Sequence, residues 1–379
     1  MAKREAPRGS SETGDPLLLT PGPLTTSKSV KEAMVHDWGS RDAAFLAINN
    51  EVLERLPEIV NAKGTHVTVP MQGSGTFAVE AMLTTFVPRT GKVLLLVNGA
   101  YGQRARRICL LAGRRIEVHE TAEDTPPDLD DIERLLKADL TITHVFAVHC
   151  ETTSGILNPI AEIGALVEKH GRRLLVDAMS AFGALPLDAA KTRFDAVAAS
   201  SNKCIEGVPG LGFVVCREGA LAETKGNATT LVLDLHDQWQ NLVRTGQYRF
   251  TPPIHVIVSF HQALKEFWAE GGQRGRGGRY AENCKVLIEG MRELGFQPLL
   301  PERLQAPIIV TFHMPKDARF VFQSFYDKLK DRGYVIYPGK LTVADSFRIG
   351  CIGRINAQHM RGALAAVAEV LGELGMRRV

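Results

Sequence analysis

The sequence predicts an α/β fold: a mostly parallel sheet with helices on both faces, followed by a smaller α+β unit. Three observations lead there. Short runs that are almost wholly apolar (92–97, 144–148 and 173–176) alternate with amphipathic stretches, the pattern of strands buried on both faces. Polar or small residues gather directly after these runs, at the strand ends where open α/β sheets bind ligands. Finally, 379 residues with 45% hydrophobic content are enough for two packed domains.

Composition narrows the function. Charged residues make up 23% of the chain, so wholesale disorder is excluded. Lys and Arg total 45 against 42 Asp and Glu, a formal charge of +3, which gives no electrostatic footprint for nucleic acid. No apolar run approaches the ~18 residues that span a bilayer. The 6 cysteines form no C-x-x-C pair and read as reduced thiols of a cytoplasmic protein.

Taken in order, residues 1–15 mix charge with Gly, Ser and Pro, and are expected to be a disordered lead-in without a signal peptide. Residues 16–35 are expected to pack on the small domain, 36–270 to form the large domain and 271–379 the small one. A strand at 67–69 runs into Gly73, Ser74, Gly75 and Thr76, ahead of a helix predicted over 76–85. Freed N–H groups at that helix start, with the two hydroxyls, suit a phosphate. The same glycines fit a loose dinucleotide fingerprint, but the next strand ends in Asn98 rather than an acid, which argues against a nicotinamide dehydrogenase. A plain structural turn is the alternative.

Helices are predicted over 128–137, 160–170 and 188–192. Between the last two, a strand ends in Asp177. A carboxylate there is costly unless a positive group meets it; it is either a helix cap or the counter-ion of a protonated ring nitrogen. The strand 196–200 leads to Lys203, ahead of Gly207 and Gly210. This is either a surface lysine or an amine nucleophile with a lowered pKa. Phosphate loop, aspartate and lysine on successive strand ends are the set pyridoxal phosphate requires. The Gly- and Arg-rich stretch 271–278 reads as a loop or frayed helix end. Beyond it a helix (280–294), a strand (306–312), a helix (318–333), strand-like runs at 334–337 and 346–349, and a last helix (357–374) make the small domain.

These residues resemble the fold-type I, class V aminotransferases. The likeness runs from 17–26 to about 374, through segments 72–81, 98–102, 176–180, 202–205, 249–253, 335–340 and 346–350. It implies a fold-type I pyridoxal-phosphate-dependent transferase, with a mostly parallel seven-stranded sheet in the large domain. By the same resemblance Lys203 would hold the cofactor through its amine and shuttle a proton, and Asp177 would keep the ring nitrogen protonated. Tyr101 would stack on the ring and Thr152 would bond its oxygen. Ser74, Gly75 and Thr76 would hold the phosphate, with Tyr248 and Thr251 reaching it from a partner subunit, so a homodimer is implied. Arg348 would bind the substrate's acid group, with Arg249 and Arg41 as further cations for a phosphonate. The implied reaction is ping-pong transfer of an amino group from 2-aminoethylphosphonate to pyruvate. A serine or alanine aminotransferase using glyoxylate is the alternative within the class. A cysteine desulfurase is disfavoured because Cys351 lies in a strand-like run.

Overall fold

The computed structural model describes residues 9–341 and 344–379. Its central 7-stranded sheet runs in the order His66–Gln72, Leu211–Arg217, Ala196–Ser200, Arg173–Asp177, Ile142–Val148, Lys92–Val97, Arg115–Glu120. Neighbours pair in parallel except at Leu211–Arg217, which is antiparallel to both flanking strands. Parallel pairs need crossovers, and the helices Ala100–Leu111, Leu129–Ala138 and Ile160–Lys169 lie in those connections, while Gly75–Phe86 joins the edge strand His66–Gln72 to Lys92–Val97 at the far side of the sheet.

Side chains alternate across a strand. Val93, Leu95, Phe146, Val148 and Leu175 therefore enter one core, while Leu94, Leu96, Val145, Ala147 and Val176 enter another on the opposite face. Burial on both faces explains why these strands read as continuous apolar runs. The register sets Val148 beside Asp177 and Asp177 beside Ala198, so the strands finish along one edge of the sheet.

A third core surrounds the antiparallel sheet of Ile309–His313, Ser346–Gly350 and Tyr337–Pro338. Phe347 packs there against Phe296 and Phe312, with ring centroids 5.5 and 5.6 Å apart, and Ile349 joins the same core. Arg348, between them, is thereby turned to the opposite face. Leu17–Leu18 adds a parallel pair to Tyr334–Val335, and Leu17 and Leu19 enter this core as well.

Three expectations change. Of the expected disordered lead-in, residues 1–8 lie outside the described residues, whereas 9–15 are tied down: the Gly9 N–H donates to the Arg332 carbonyl at 3.0 Å, and Lys31 pairs with Asp15 at 2.6 Å. Residues 188–192 make a single turn rather than a helix: the Lys191 and Thr192 N–H groups close it on the Asp188 carbonyl at 3.0 and 2.9 Å, and the chain then passes to the buried strand Ala196–Ser200. The Gly- and Arg-rich stretch is no loop. It opens the helix Gly272–Glu293, with Gly271 and Gly272 at positive φ turning the corner. A Cβ on Gly275 or Gly277 would collide with the carbonyl of Glu270 or Ala184, so these glycines permit close approach rather than flexibility. Among the described residues no helix is long and apolar enough to cross a membrane, and all 6 cysteines are buried and free.

Candidate active site

At the C-terminal edge of the sheet lies a cavity of about 170 Å³, lined by Ser74, Gly75, Thr76, Val79, Tyr101, Arg104, Asp177, Met179, Ser200, Asn202 and Lys203. Six of the residues singled out in the sequence (Ser74, Gly75, Thr76, Tyr101, Asp177 and Lys203) therefore share one space. Ser74 is the N-cap of the Gly75–Phe86 helix, and its side chain makes no capping bond. The N–H groups of Gly75 and Thr76, the first of that helix and without a partner inside it, belong to residues that line the cavity, whereas the Phe77 N–H is taken by the Ser74 carbonyl at 2.9 Å. Gly75 passes so close to Met179 that a Cβ would strike its side chain.

Asp177 ends the central strand and is 4% exposed. Its Oδ1 accepts from the Met179 N–H at 2.9 Å, so the local cap considered from sequence does exist. Burial pushes the carboxyl up to about 6, against the pull of that N–H. Lys203 follows the strand Ala196–Ser200. Its Nζ donates to the Pro21 carbonyl at 2.8 Å, and burial draws its pKa down, with Tyr101 and Asp177 opposing. Such an amine loses its proton more readily than a solvated lysine.

Tyr101 stands in the first turn of Ala100–Leu111. That helix has no side-chain cap of its own. The buried Glu151 carboxylate serves instead, accepting from the N–H groups of Tyr101 at 3.0 Å and Gly102 at 3.4 Å, while Thr153 Oγ1 accepts from Ala100 at 2.9 Å. A Cβ on Gly99 would run into Glu151. Arg104, one turn along the helix, lies 4.8 Å from the Tyr101 ring centroid, and its Nη1 donates to Thr76 Oγ1 at 3.0 Å. From the small domain, Lys340 Nζ reaches within 4.5 Å of the same ring centroid.

Arg348 is 6% exposed. It lies opposite Tyr337 in the sheet, donating from Nη1 to the Thr152 carbonyl at 2.9 Å and from Nε to the Pro338 carbonyl at 3.1 Å. Thr152 and Arg348 are thus joined, bridging the large-domain loop and the small-domain sheet. Neither of the two is among the residues that line the 170 Å³ cavity, and the remaining expected residues also lie outside it. Tyr248 lines a neighbouring cavity with Gln72, Gly73, Phe77 and Phe250, its hydroxyl buried without a partner. The Thr251 carbonyl accepts from Gln72 Nε2. Arg249 is held by Gln238 Oε1 at 3.3 Å and the Asp234 carbonyl at 3.1 Å. Arg41 is exposed in the turn before the helix Ala43–Ile59. Neither arginine lines the 170 Å³ cavity.

Sequence reading missed Glu151, Arg104 and Lys340. Arg104 was accessible in principle, since i and i+3 share a helix face. Lys340 belongs to one of the segments that carried the resemblance. Nothing local to Glu151 marks it as the cap of a helix some fifty residues earlier in the chain, its partners lying 49 and 50 positions away.

A 2-aminoethylphosphonate–pyruvate transaminase of Pseudomonas fluorescens strain Pf-5 is 53% identical over 360 residues, covering 95% of this chain and 98% of that protein. One of Pseudomonas putida strain KT2440 is 54% identical over 359 residues, with the same coverage, 95% and 98%. The crystal structure of a pyridoxamine–pyruvate aminotransferase from Mesorhizobium loti superposes with a TM-score of 0.87 at 25% identity, covering 96% of this chain and 94% of that one. A model of the family described as aminotransferase class-V matches residues 26–324, and the chain belongs to that family.

Proposed function

We propose that the chain binds pyridoxal 5'-phosphate and moves the amino group of 2-aminoethylphosphonate to pyruvate, yielding phosphonoacetaldehyde and L-alanine. The observation that carries this reading is the single cavity lined by Lys203, Asp177 and the capless start of the Gly75–Phe86 helix. An amine, a carboxyl and an anion-binding helix end match the three polar regions of that cofactor. Ser200 Oγ, buried in the same lining without a hydrogen-bond partner, adds an unfilled polar position. The names borne by relatives at 53 and 54% identity support the substrate pair.

When bound, pyridoxal phosphate supplies an electron sink for the carbon that loses a proton. The protein would do the rest. Lys203, with its lowered pKa, would act as nucleophile and then carry the proton between carbon atoms. Asp177 would hold a proton on the ring nitrogen. Ser74, Gly75 and Thr76 would bind the phosphate, Tyr101 would cover one ring face, and Thr152 would fix the ring oxygen. Arg348 would take the acid group of each substrate in turn, since its fork suits either a carboxylate or a phosphonate oxygen pair.

We also propose a homodimer in which Tyr248 and Thr251 complete the phosphate site of the neighbouring copy, and a cytoplasmic setting, supported by the free cysteines. Single-turnover reaction of the cofactor-loaded protein with a panel of amines tests the assignment. Rapid conversion by 2-aminoethylphosphonate, with serine at least 100-fold slower, is expected; equal or faster reaction with serine would replace it with the glyoxylate-linked alternative.

A further inference from the structure

We infer that Lys340 is the second cation of the donor site, the group that selects a phosphonate dianion over a carboxylate. The inference rests on the proposed reaction and goes beyond it by separating the two substrates. A carboxylate carries one charge, which one guanidinium answers. A phosphonate carries up to two charges on three oxygens, and Arg348 has limited capacity for them. Its Nε and one Nη1 bond are already used by the Pro338 and Thr152 carbonyls, leaving a single edge for the ligand.

Lys340 is placed to add what is missing. It follows Tyr337–Pro338, the strand that pairs with Arg348 and Phe347. Gly339 between them donates its N–H to the Ser346 carbonyl at 2.8 Å and sits so close to Ser346 that any Cβ would collide. The backbone leading to Lys340 is thus pinned against the strand that carries Arg348. The side chain then reaches over Tyr101, with Nζ 4.5 Å from the ring centroid, a residue that also lines the cavity. Among the described residues no carboxylate pairs with Lys340, so its charge is not neutralised by the protein. Of the other cations, Arg104 lines the cavity but donates to Thr76 at its phosphate end, and Arg249 lies outside that lining, held by Gln238 and the Asp234 carbonyl. A lysine also suits the task, because a flexible point charge can meet a tetrahedral oxyanion without demanding a planar fork.

The test compares wild type with Lys340→Met and Lys340→Arg. In half-reactions, the ratio of kcat/KM for 2-aminoethylphosphonate to that for L-alanine should fall roughly 10- to 100-fold in K340M, the worth of one charge-assisted hydrogen bond, and recover in K340R. Calorimetric titration with the unreactive probes ethylphosphonate and propionate gives a second readout. Wild type should bind ethylphosphonate more tightly as its second proton leaves, and K340M should lose that pH dependence; propionate should show neither effect. A wild-type selectivity ratio in K340M, with pH-dependent ethylphosphonate binding retained, overturns the assignment of Lys340 alone. Failure of wild type to convert 2-aminoethylphosphonate overturns the proposed reaction instead, and the ethylphosphonate titration still decides the role of Lys340.

Discussion

Asp177 shows how a single side chain sets function against stability. An ordinary aspartate ionises near 3.8, and burial holds this one at about 6. Between those values the folded chain binds more protons than the unfolded one, so stability falls as pH rises and the loss is complete above about 6. The difference corresponds to ~3 kcal/mol. Asp177→Asn should therefore stabilise the cofactor-free protein by up to about 3 kcal/mol at pH 8 and leave it unchanged at pH 4, as measured by urea unfolding. Equal effects at both pH values would contradict this assignment. The same variant should lose on the order of 10²-fold or more in transamination. Asp177 and Lys203 were legible in the sequence because each terminates a buried apolar run, where an unpartnered charge has no structural excuse. Glu151 and Lys340 were not, because they join the site only through approaches between distant segments.

The helix Gly272–Glu293 holds the turn that bears Lys203. Arg276 Nη1 donates to the Cys204 carbonyl at 2.7 Å, Arg279 Nη2 to Glu206 at 2.7 Å, and Tyr280 Oη to Glu206 at 2.6 Å. Both arginines also pair with Glu270 at 2.6 Å. Glu206 itself adopts a positive φ of 65°, a conformation that few non-glycine residues hold without such support. Arg279 continues to the Gly353 and Ile355 carbonyls at 2.6 and 2.7 Å, just past the Arg348 strand. Because Glu206 and Glu270 both keep Arg276 when Arg279 is removed, Arg279→Met should lower unfolding stability by about 1–3 kcal/mol, the cost of the charged hydrogen bonds it breaks. A loss under about 1 kcal/mol would mean the charges are screened as on a surface. This element was misread from composition. Gly and Arg in alternation look like a loop, and nothing in the linear pattern distinguishes glycine chosen for mobility from glycine chosen for contact.

Across the whole molecule, the buried strands and both faces of their core follow from runs that were apparent in the sequence, such as 92–97 and 144–148, whereas neither the order of the strands nor the reversal of Leu211–Arg217 carries a local mark. One surface is left apolar: Phe77 is 49% exposed, Val232 58% and Phe250 45%, around the cavity that receives Tyr248. Exposed aromatic and aliphatic groups gathered in one place suit a second copy of the chain. If that copy shares its Tyr248 and Thr251, dilution to monomer should release pyridoxal phosphate, with absorbance and light scattering falling together. A monomer that retains the cofactor would rule out a shared site. The backbone that pairs with Tyr334–Val335 through Leu17–Leu18 continues to Pro21, whose carbonyl accepts from Lys203. Clipping the chain behind that point would therefore register twice: as lost stability, because Leu17 and Leu19 would leave their core, and as altered reactivity, because the amine would lose the cover of Pro21 and Gly22 and drift back toward ordinary basicity.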